Sequence, residues 1–498
     1  MQKKTVWVFG DQLNRHIGAL REATPHSHRV LIIESQQKIA SKRWHVQRAH
    51  FIVTSMRRFA QELATDGFEV DYRFATTMRS GLEAHITEFQ PEEVVATEPN
   101  SYSAREMLKN MQVRCVKSDQ FLCHPDAYRA FMGARKTVKM EDFYRWQRKR
   151  LSVLMDGGEP VAGRWNFDED NRQPPPKTNH DRWPQPASVP LDELAQQVVA
   201  DIAPYTWGAH PTGLWATSRA GALVRLEKFV TEVLPMFGEH EDAMLKSNWH
   251  LAHSLLSPYL NNGLLLPGEV VDAVVAEFEK GNVPINSAEG FLRQVIGWRE
   301  YIWNCYWQWM PEYAHMNVLA AEVPLPKFFT APETTKVACM KSVLEGVYEH
   351  SYAHHIERLM VLGNFALIAG INPQELTSWM WNSFVDAAEW VMVPNVVGMS
   401  QYADGGMLAT KPYASGGAYI DRMSDHCKGC AYDRKKRVGE DACPFTVLYW
   451  DFFLRHEEKF VKNPRVARQV RAAQQLADRD ELQATAVTIL QRLQSSEL

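Results

Sequence analysis

TVWVFGDQL, residues 5–13, is a short β-rich run ending in Gly10-Asp11, and HRVLIIES, residues 28–35, is a second apolar run too short for a helix and flanked by polar residues. Runs of this kind read as parallel strands buried on both faces. Helical stretches follow at 42–66 and 79–89, and the strand candidates FEVDYRF (68–74), EEVVATEP (92–99) and MQVRCVKSD (111–119) alternate with them. The rhythm predicts a doubly wound α/β domain over residues 1–130, with a ligand crevice at the C-terminal strand ends. No G-x-G-x-x-G follows the first strand, so the dinucleotide fingerprint is absent.

Residues 156–190 are rich in Gly, Pro and Asn and carry no apolar period, which predicts an interdomain linker within 131–200. Beyond it nearly every segment reads as helix: 218–234, 268–280, 288–309, 340–350, 353–370, 373–390 and 444–460. Residues 201–498 are therefore expected to form a large all-α domain, broken by the Gly- and Tyr-rich SQYADGGMLATKPYASGGAYID, 400–421.

At 498 residues the chain is too long for one ordinary core. It has seven irregularly spaced cysteines, no apolar run near twenty residues and no apolar leader behind Met1. These features predict a protein of the reducing cytoplasm, monomeric, with no membrane role. A net charge of −4 does not point to nucleic acid, but local clusters matter more than the total. Arg129, Arg135, Lys136, Lys139, Arg145, Arg148, Lys149 and Arg150 form one cluster, which a solvated face explains equally well. Arg434, Lys435, Lys436 and Arg437 form another, inside a cysteine loop, and read as phosphate contacts.

That loop is CKGCAYDRKKRVGEDACP, 427–444, with Cys427, Cys430 and Cys443 in a C-x2-C-x12-C run and Cys339 far upstream. Four thiolates suffice to close one metal site, either tetrahedral zinc or a [4Fe-4S] cluster. Cys115, Cys123 and Cys305 are left over and read as core residues.

Three helical motifs carry further chemistry: HSLLSPYLNNGLL (253–265), FLRQVIGWREYIW (291–303) and AHHIERLMVLGNF (353–365). Serine hydroxyls and a guanidinium suit diphosphate oxygens, and an imidazole donates protons near neutral pH. In order, with the α/β–linker–helical layout and 16 tryptophans, these segments resemble the photolyase/cryptochrome superfamily. The order and spacing of Cys339, Cys427, Cys430 and Cys443, with GRWNFDEDNRQPPP in the linker, resemble its iron–sulfur bacterial group, the prokaryotic (6-4) photolyases.

The resemblance implies FAD held in the helical domain by Ser254, Leu255, Ser257, Arg299 and Arg358, and a [4Fe-4S] cluster on the four cysteines. It implies a cavity beside Trp298, Tyr413 and Tyr419 for UV-damaged DNA, with His355 as proton donor to a (6-4) lesion. Leu359 occupies the position of the motif's second histidine, so His354 or a tyrosine is expected to assist. Trp379, Trp381 and Trp390 are expected to relay electrons, and Ala331 stands where the group often has an outer tryptophan. The antenna implied is 6,7-dimethyl-8-ribityllumazine, at the strand-end residues Gly10, Asp11, Gln12 and Glu34. The rival reading is a blue-light receptor that signals to a protein partner; retention of His355, Arg358 and the basic loop favours repair.

Overall fold

The computed structural model describes residues 3–495 and 497–498. Five parallel strands, β1 (Lys4–Val8), β2 (His28–Ser35), β3 (Glu69–Ala75), β4 (Val94–Thr97) and β5 (Arg114–Val116), form one sheet in the order β3-β2-β1-β4-β5. The central strand pairs on both edges, Val6 opposite Val30 and Val95, and its Val6, Trp7 and Val8 are buried. Strand order reverses at β1, so β1 and β4 flank the switch point predicted for a ligand. The helix Met78–Phe89 starts at a Thr77–Ser80 capping box and is pinned to the sheet by His85, whose Nε2 meets Thr5 Oγ1 (2.8 Å) and Nδ1 meets Asp71 Oδ2 (2.7 Å).

The loop after β1 is also a seam to the helical part. Leu13 N–H donates to the Asn262 carbonyl (2.9 Å), Asn14 Nδ2 to the Gly263 carbonyl (2.9 Å), and Gln120 Nε2 to the carbonyls of Asp11, Leu260 and Asn261. Arg48, fully buried, adds the carbonyls of Phe384 and Val385 as acceptors.

The stretch 131–200, expected as linker, is well structured in places. Met140–Leu151 is a helix packed along Arg293–Arg299, and Glu193–Ile202 lies on the α/β helix Val46–Thr65, sharing a cluster of Val46, Ala49, Val53, Val198 and Ile202. Between them Asn171 and Asn286 exchange hydrogen bonds, a pairing that Gly238 and Gly290 permit: a Cβ at either would approach Asn171 to 2.5–2.7 Å.

Most helices of the second half fall where the periodicity placed them, but 373–390 is two helices, Pro373–Ser383 and Glu389–Val393. Residues 384–388 leave the helix because Val385 N–H donates to the Ser351 carbonyl and Ser351 Oγ to the Ser383 carbonyl. Wide π turns interrupt the helices at Arg293–Arg299, Glu357–Gly363 and Pro394–Ser400. Such turns cluster at functional sites because they re-aim side chains.

Candidate functional site

The break at 384–388 sets Asp386 against two of the sequence motifs. Ser257 Oγ donates to Asp386 Oδ2 (2.7 Å) and Asn261 Nδ2 to its carbonyl (2.7 Å). Arg358 pairs with the same carboxylate through Nη1 (3.0 Å) and Nη2 (3.1 Å), donates from Nε to the Ala353 carbonyl, and lies over the Phe384 ring at 4.0 Å. Leu255 takes a φ of +55° at the turn between the two serines. Beside this turn is a cleft walled by Gln185, Trp215, Lys228, His253, Ser254 and Leu255. Arg299 donates to the carbonyls of Gln120 and Leu260 and to Glu300, leaving a buried Nε without a protein partner.

His355 stands at the centre of a polar chain. Its Nε2 is 3.3 Å from Asp242 Oδ1 and its Nδ1 3.2 Å from His253 Nε2, while His253 Nδ1 is 3.0 Å from the His250 carbonyl. Its side chain is 46% exposed, so a substrate can reach it. His354 is fully buried, stacked on His253 at 4.3 Å, and neither of its nitrogens has a hydrogen-bond partner. Loss of water pulls His355 down, but the hydrogen bond and charge of Asp242 outweigh it and raise the group above the usual imidazole value. Burial and the charge of His355 push His253 down to about 3, so His253 is neutral. Ligand atoms of His253, His354 and His355 all lie within 4.8 Å of one another, but the rings of His253 and His354 are nearly parallel, so their nitrogens do not converge on one ion.

Around His355 the structure assembles Tyr419, whose hydroxyl feels Asp242, Arg422 and Arg172, and Tyr413, which feels Arg172 and Arg465. Arg172 comes from the linker and bonds Asp168 (2.9 Å), with Asp242 3.7 Å away. Lys411 lies close enough to Arg465 and Arg172 that, after burial, their charges lower its pKa. Lys411 lies 5.9 Å from the Tyr413 ring and Arg422 5.6 Å from the Tyr419 ring, so positive charge gathers beside the two tyrosines. Sequence reasoning missed Asp242, His253, Asp386 and Arg172; an aspartate inside the apolar run NSFVDAAEW was the one signal available for Asp386.

Cys339, Cys427, Cys430 and Cys443 line one small apolar cavity with His426, Tyr432 and Phe445. Burial first, then Cys443 and Asp421, pushes Cys427 up to about 12, so a bound cation would be needed to ionise it near neutral pH. Gly417 packs tightly here: a Cβ would sit 3.1 Å from Cys443 Sγ, 3.1 Å from Arg434 Cβ and 3.0 Å from Thr446 Oγ1, so its neighbours would have to give way by a few tenths of an ångström. In the basic loop, Arg434 pairs with Asp421 (2.7 Å), Lys436 with Asp441 (2.5 Å) and Arg437 with Asp478 (3.0 Å), while Lys435 is exposed.

The remaining expected residues are spread out. Trp298 is half-buried, edge-on to Tyr301. Trp379 donates to the Phe329 carbonyl (3.1 Å), two residues from Ala331; Trp390 is buried against Phe121 and Arg299; Trp381 lies under Lys42, 3.6 Å from its ammonium. At the sheet, Asp11 accepts from Asn100 (3.2 Å), and Gln12 is buried with its amide on the Glu98 carbonyl. Gly10 packs against Met56. Glu34 is held by Arg57 (2.9 and 3.0 Å) and the Tyr72 hydroxyl (2.6 Å).

Residues 6–211 match the family model described as deoxyribodipyrimidine photo-lyase-related protein. Over 98% of this chain and 99% of the relative, the sequence is 38% identical to a (6-4) photolyase of Agrobacterium fabrum. The chain belongs to the photolyase/cryptochrome superfamily. The fold agrees: a class III photolyase from Agrobacterium tumefaciens superposes with a TM-score of 0.60 over 99% of this chain and 98% of that one, at 15% identity. A Synechocystis cryptochrome superposes at 0.54, over 94% of this chain and 88% of that one, at 12% identity. The parallel sheet followed by a helical domain, expected from the sequence, is the architecture they share. No helix among the described residues is long and apolar enough to cross a membrane.

Proposed function

We propose that the protein repairs (6-4) pyrimidine–pyrimidone photoproducts in DNA in a light-driven reaction that uses reduced FAD, with His355 as proton donor. The observation that carries this reading is His355 itself, half open to solvent and next to His253, which lines the cleft, with Asp242 and His253 at its two ring nitrogens. Residues of the cleft and of the turn beside it fit the flavin: Ser254 in the cleft and Ser257 beyond it offer hydroxyls, Lys228 a cation, Leu255 an apolar turn, and Arg358, outside the cleft, a guanidinium fixed by Asp386. Bound and reduced, that cofactor would supply the electron released by light and accept it back. His355 then protonates the group that leaves the lesion, a role suited to an imidazole that is charged near neutral pH.

A lesion has to leave the base stack to reach His355, and damage lowers the cost of doing so. Trp298, Tyr413 and Tyr419 would face the flipped bases. Phosphate binding is better assigned to Lys411, Arg422 and Arg465 than to the basic loop, because Arg434, Lys436 and Arg437, like Arg172, already have carboxylate partners. Lys435 remains the loop's contribution.

For the four cysteines the favoured group is a [4Fe-4S] cluster. Tetrahedral zinc at about 2.3 Å from each sulfur requires sulfur separations of about 3.8 Å. Among the described residues no three of these sulfurs come within 4.8 Å of one another, although all four line one cavity. The cluster would brace the segment 417–446 behind the lesion cavity. Trp379 and Trp390 would serve electron transfer, and Asp11 with Gly10, Gln12 and Glu34 would border a lumazine antenna at the switch point.

The test is to record the visible spectrum with iron and flavin content, then illuminate the reduced protein with oligonucleotides carrying one (6-4) lesion or one cyclobutane dimer. Restoration of the (6-4) bases alone supports the reading; binding without repair of either supports a photoreceptor.

A further inference from the structure

We propose that His253 and Asp242 are positioning residues that together hold His355 as a doubly protonated imidazolium, each accepting one of its two N–H groups. The inference rests on the repair reading above for its purpose, but its geometry stands apart from it. A backbone carbonyl only accepts, so the 3.0 Å approach of His253 Nδ1 to the His250 carbonyl puts the His253 proton on Nδ1. A neutral ring with its proton there has a lone pair on Nε2, and that lone pair faces His355 Nδ1 at 3.2 Å. His355 Nδ1 therefore carries a hydrogen. On the other side, burial pushes Asp242 up, but the hydrogen bond and charge of His355 leave its carboxyl below the usual range, so it is an ionised acceptor for Nε2. Both nitrogens of His355 are thus donors, which only the cation satisfies.

The surroundings agree with a cation at this point. From residues 238–242 Asp242 faces the ring as a carboxylate and Glu241 as a carboxyl that burial keeps protonated at pH 7, while His253 faces it from the turn before Ser257, and His354 and Arg358 from its own segment. Arg172 stands behind Asp242 in the linker, and Tyr419 on the helix Gly417–Met423 lies within range of the Asp242 charge. The neighbouring imidazole comes from 102 residues away in sequence, not from the next turn of the His355 helix. Stacking of His253 on His354 (4.3 Å, 15°) and its edge-on packing against Phe237 (6.3 Å) fix the ring that does the accepting.

The experiment uses the full-length holoprotein as wild type, D242N, H253F and H253Q. Uniform ¹⁵N-histidine labelling, with the His355 resonances assigned by their loss in H355Q, reports directly on the ring's protonation through its two nitrogens. Single-turnover repair of a (6-4) oligonucleotide against pH reports on its consequence. In the wild type both His355 nitrogens carry protons at pH 7. H253F keeps an aromatic ring but removes the acceptor, and D242N removes the charge. Each is expected to move His355 deprotonation, and the alkaline fall of the repair rate, down by about one pH unit, a roughly tenfold rate loss above the transition. H253Q, whose amide oxygen accepts, is expected to restore most of that shift, and damaged-DNA affinity is expected to stay within about twofold throughout. A neutral His355 at pH 7 in the wild type, or a transition unmoved by D242N and H253F, would overturn the inference. If the wild type shows the imidazolium and its dependence on both residues but repairs no lesion, the repair reading fails and this one stands.

Discussion

Removing the Asp386 carboxylate isolates a buried cation, and the structure sets how much that costs. Arg358 is 18% exposed and Asp386 8%; they are joined through both guanidinium Nη atoms at 3.0–3.1 Å, and the carboxylate also receives Ser257 Oγ. Asp386→Ala leaves the guanidinium with the Ala353 carbonyl and the faces of Phe384 and Tyr352. Breaking a buried pair from one side costs about 3–5 kcal/mol, whereas replacing both partners by apolar groups costs much less. The predicted pattern is therefore non-additive. D386A and R358M each lower stability strongly, and R358M/D386L lies well above their sum, with a coupling of about 1–3 kcal/mol. Urea unfolding followed by tryptophan fluorescence measures the cycle, and flavin absorbance after gel filtration measures the cradle. Flavin is expected to be lost in all three variants, because the double variant restores packing and not the hydroxyl–carboxylate–guanidinium arrangement. D386A within about 0.5 kcal/mol of wild type, or a coupling near zero, would refute the reasoning.

Cys427→Ser is expected to abolish iron content and the brown visible absorbance, while Cys115→Ser, at an exposed strand position, leaves both unchanged. Gly417→Ala forces a Cβ against Cys443 Sγ and Thr446 Oγ1 and is expected to reduce iron per chain and cost about 1–3 kcal/mol of stability, read by iron analysis and thermal unfolding. Neutralising Lys411, Arg422 and Arg465 one at a time is expected to flatten the plot of log affinity against log salt by up to about 0.9 for each phosphate that no longer has a cation beside it, more than neutralising Arg172, Arg434, Lys436 or Arg437 does. Burial raises Glu241 to about 8, so the folded state binds more protons than the unfolded chain between the ordinary carboxyl range and pH 8, and stability falls as pH rises through that window. Glu241→Gln removes this penalty. Its stability relative to wild type is expected to rise from pH 5 to pH 8 in urea titrations, and a pH-independent difference would contradict the assignment.

The α/β half was legible because buried parallel strands announce themselves: TVWV and VLIIE are apolar on both faces over most of their length, and the pairing of Val6 with Val30 and Val95 is what such strands require. The helix boundaries were less legible where tertiary bonds override propensity, as at 384–388, whose break depends on Ser351 and Arg48 far away in sequence. The linker's role was hidden for a related reason. Its composition describes a connector, but Arg172 and Asn171 act through partners at 242 and 286 that no local pattern reveals. The cysteine spacing and the His354-His355 pair could be read directly. The partner of His355 could not: with Leu359 in the place of the motif's second histidine, His354 or a tyrosine was expected to assist, while the imidazole that meets it belongs to the serine motif at 253. The charge of residues 434–437 was also visible, but not its neutralisation by Asp421, Asp441 and Asp478, all three outside that run.

The measurement that bears most directly on the account is single-turnover repair of a (6-4) oligonucleotide by the reduced, illuminated protein, compared between wild type and His355→Ala at matched flavin content. The account predicts restored bases with wild type, a rate lower by about 10²- to 10⁴-fold with the variant, and lesion binding retained in both. Equal repair by the variant, or tight lesion binding by wild type with no repair at all, would contradict it.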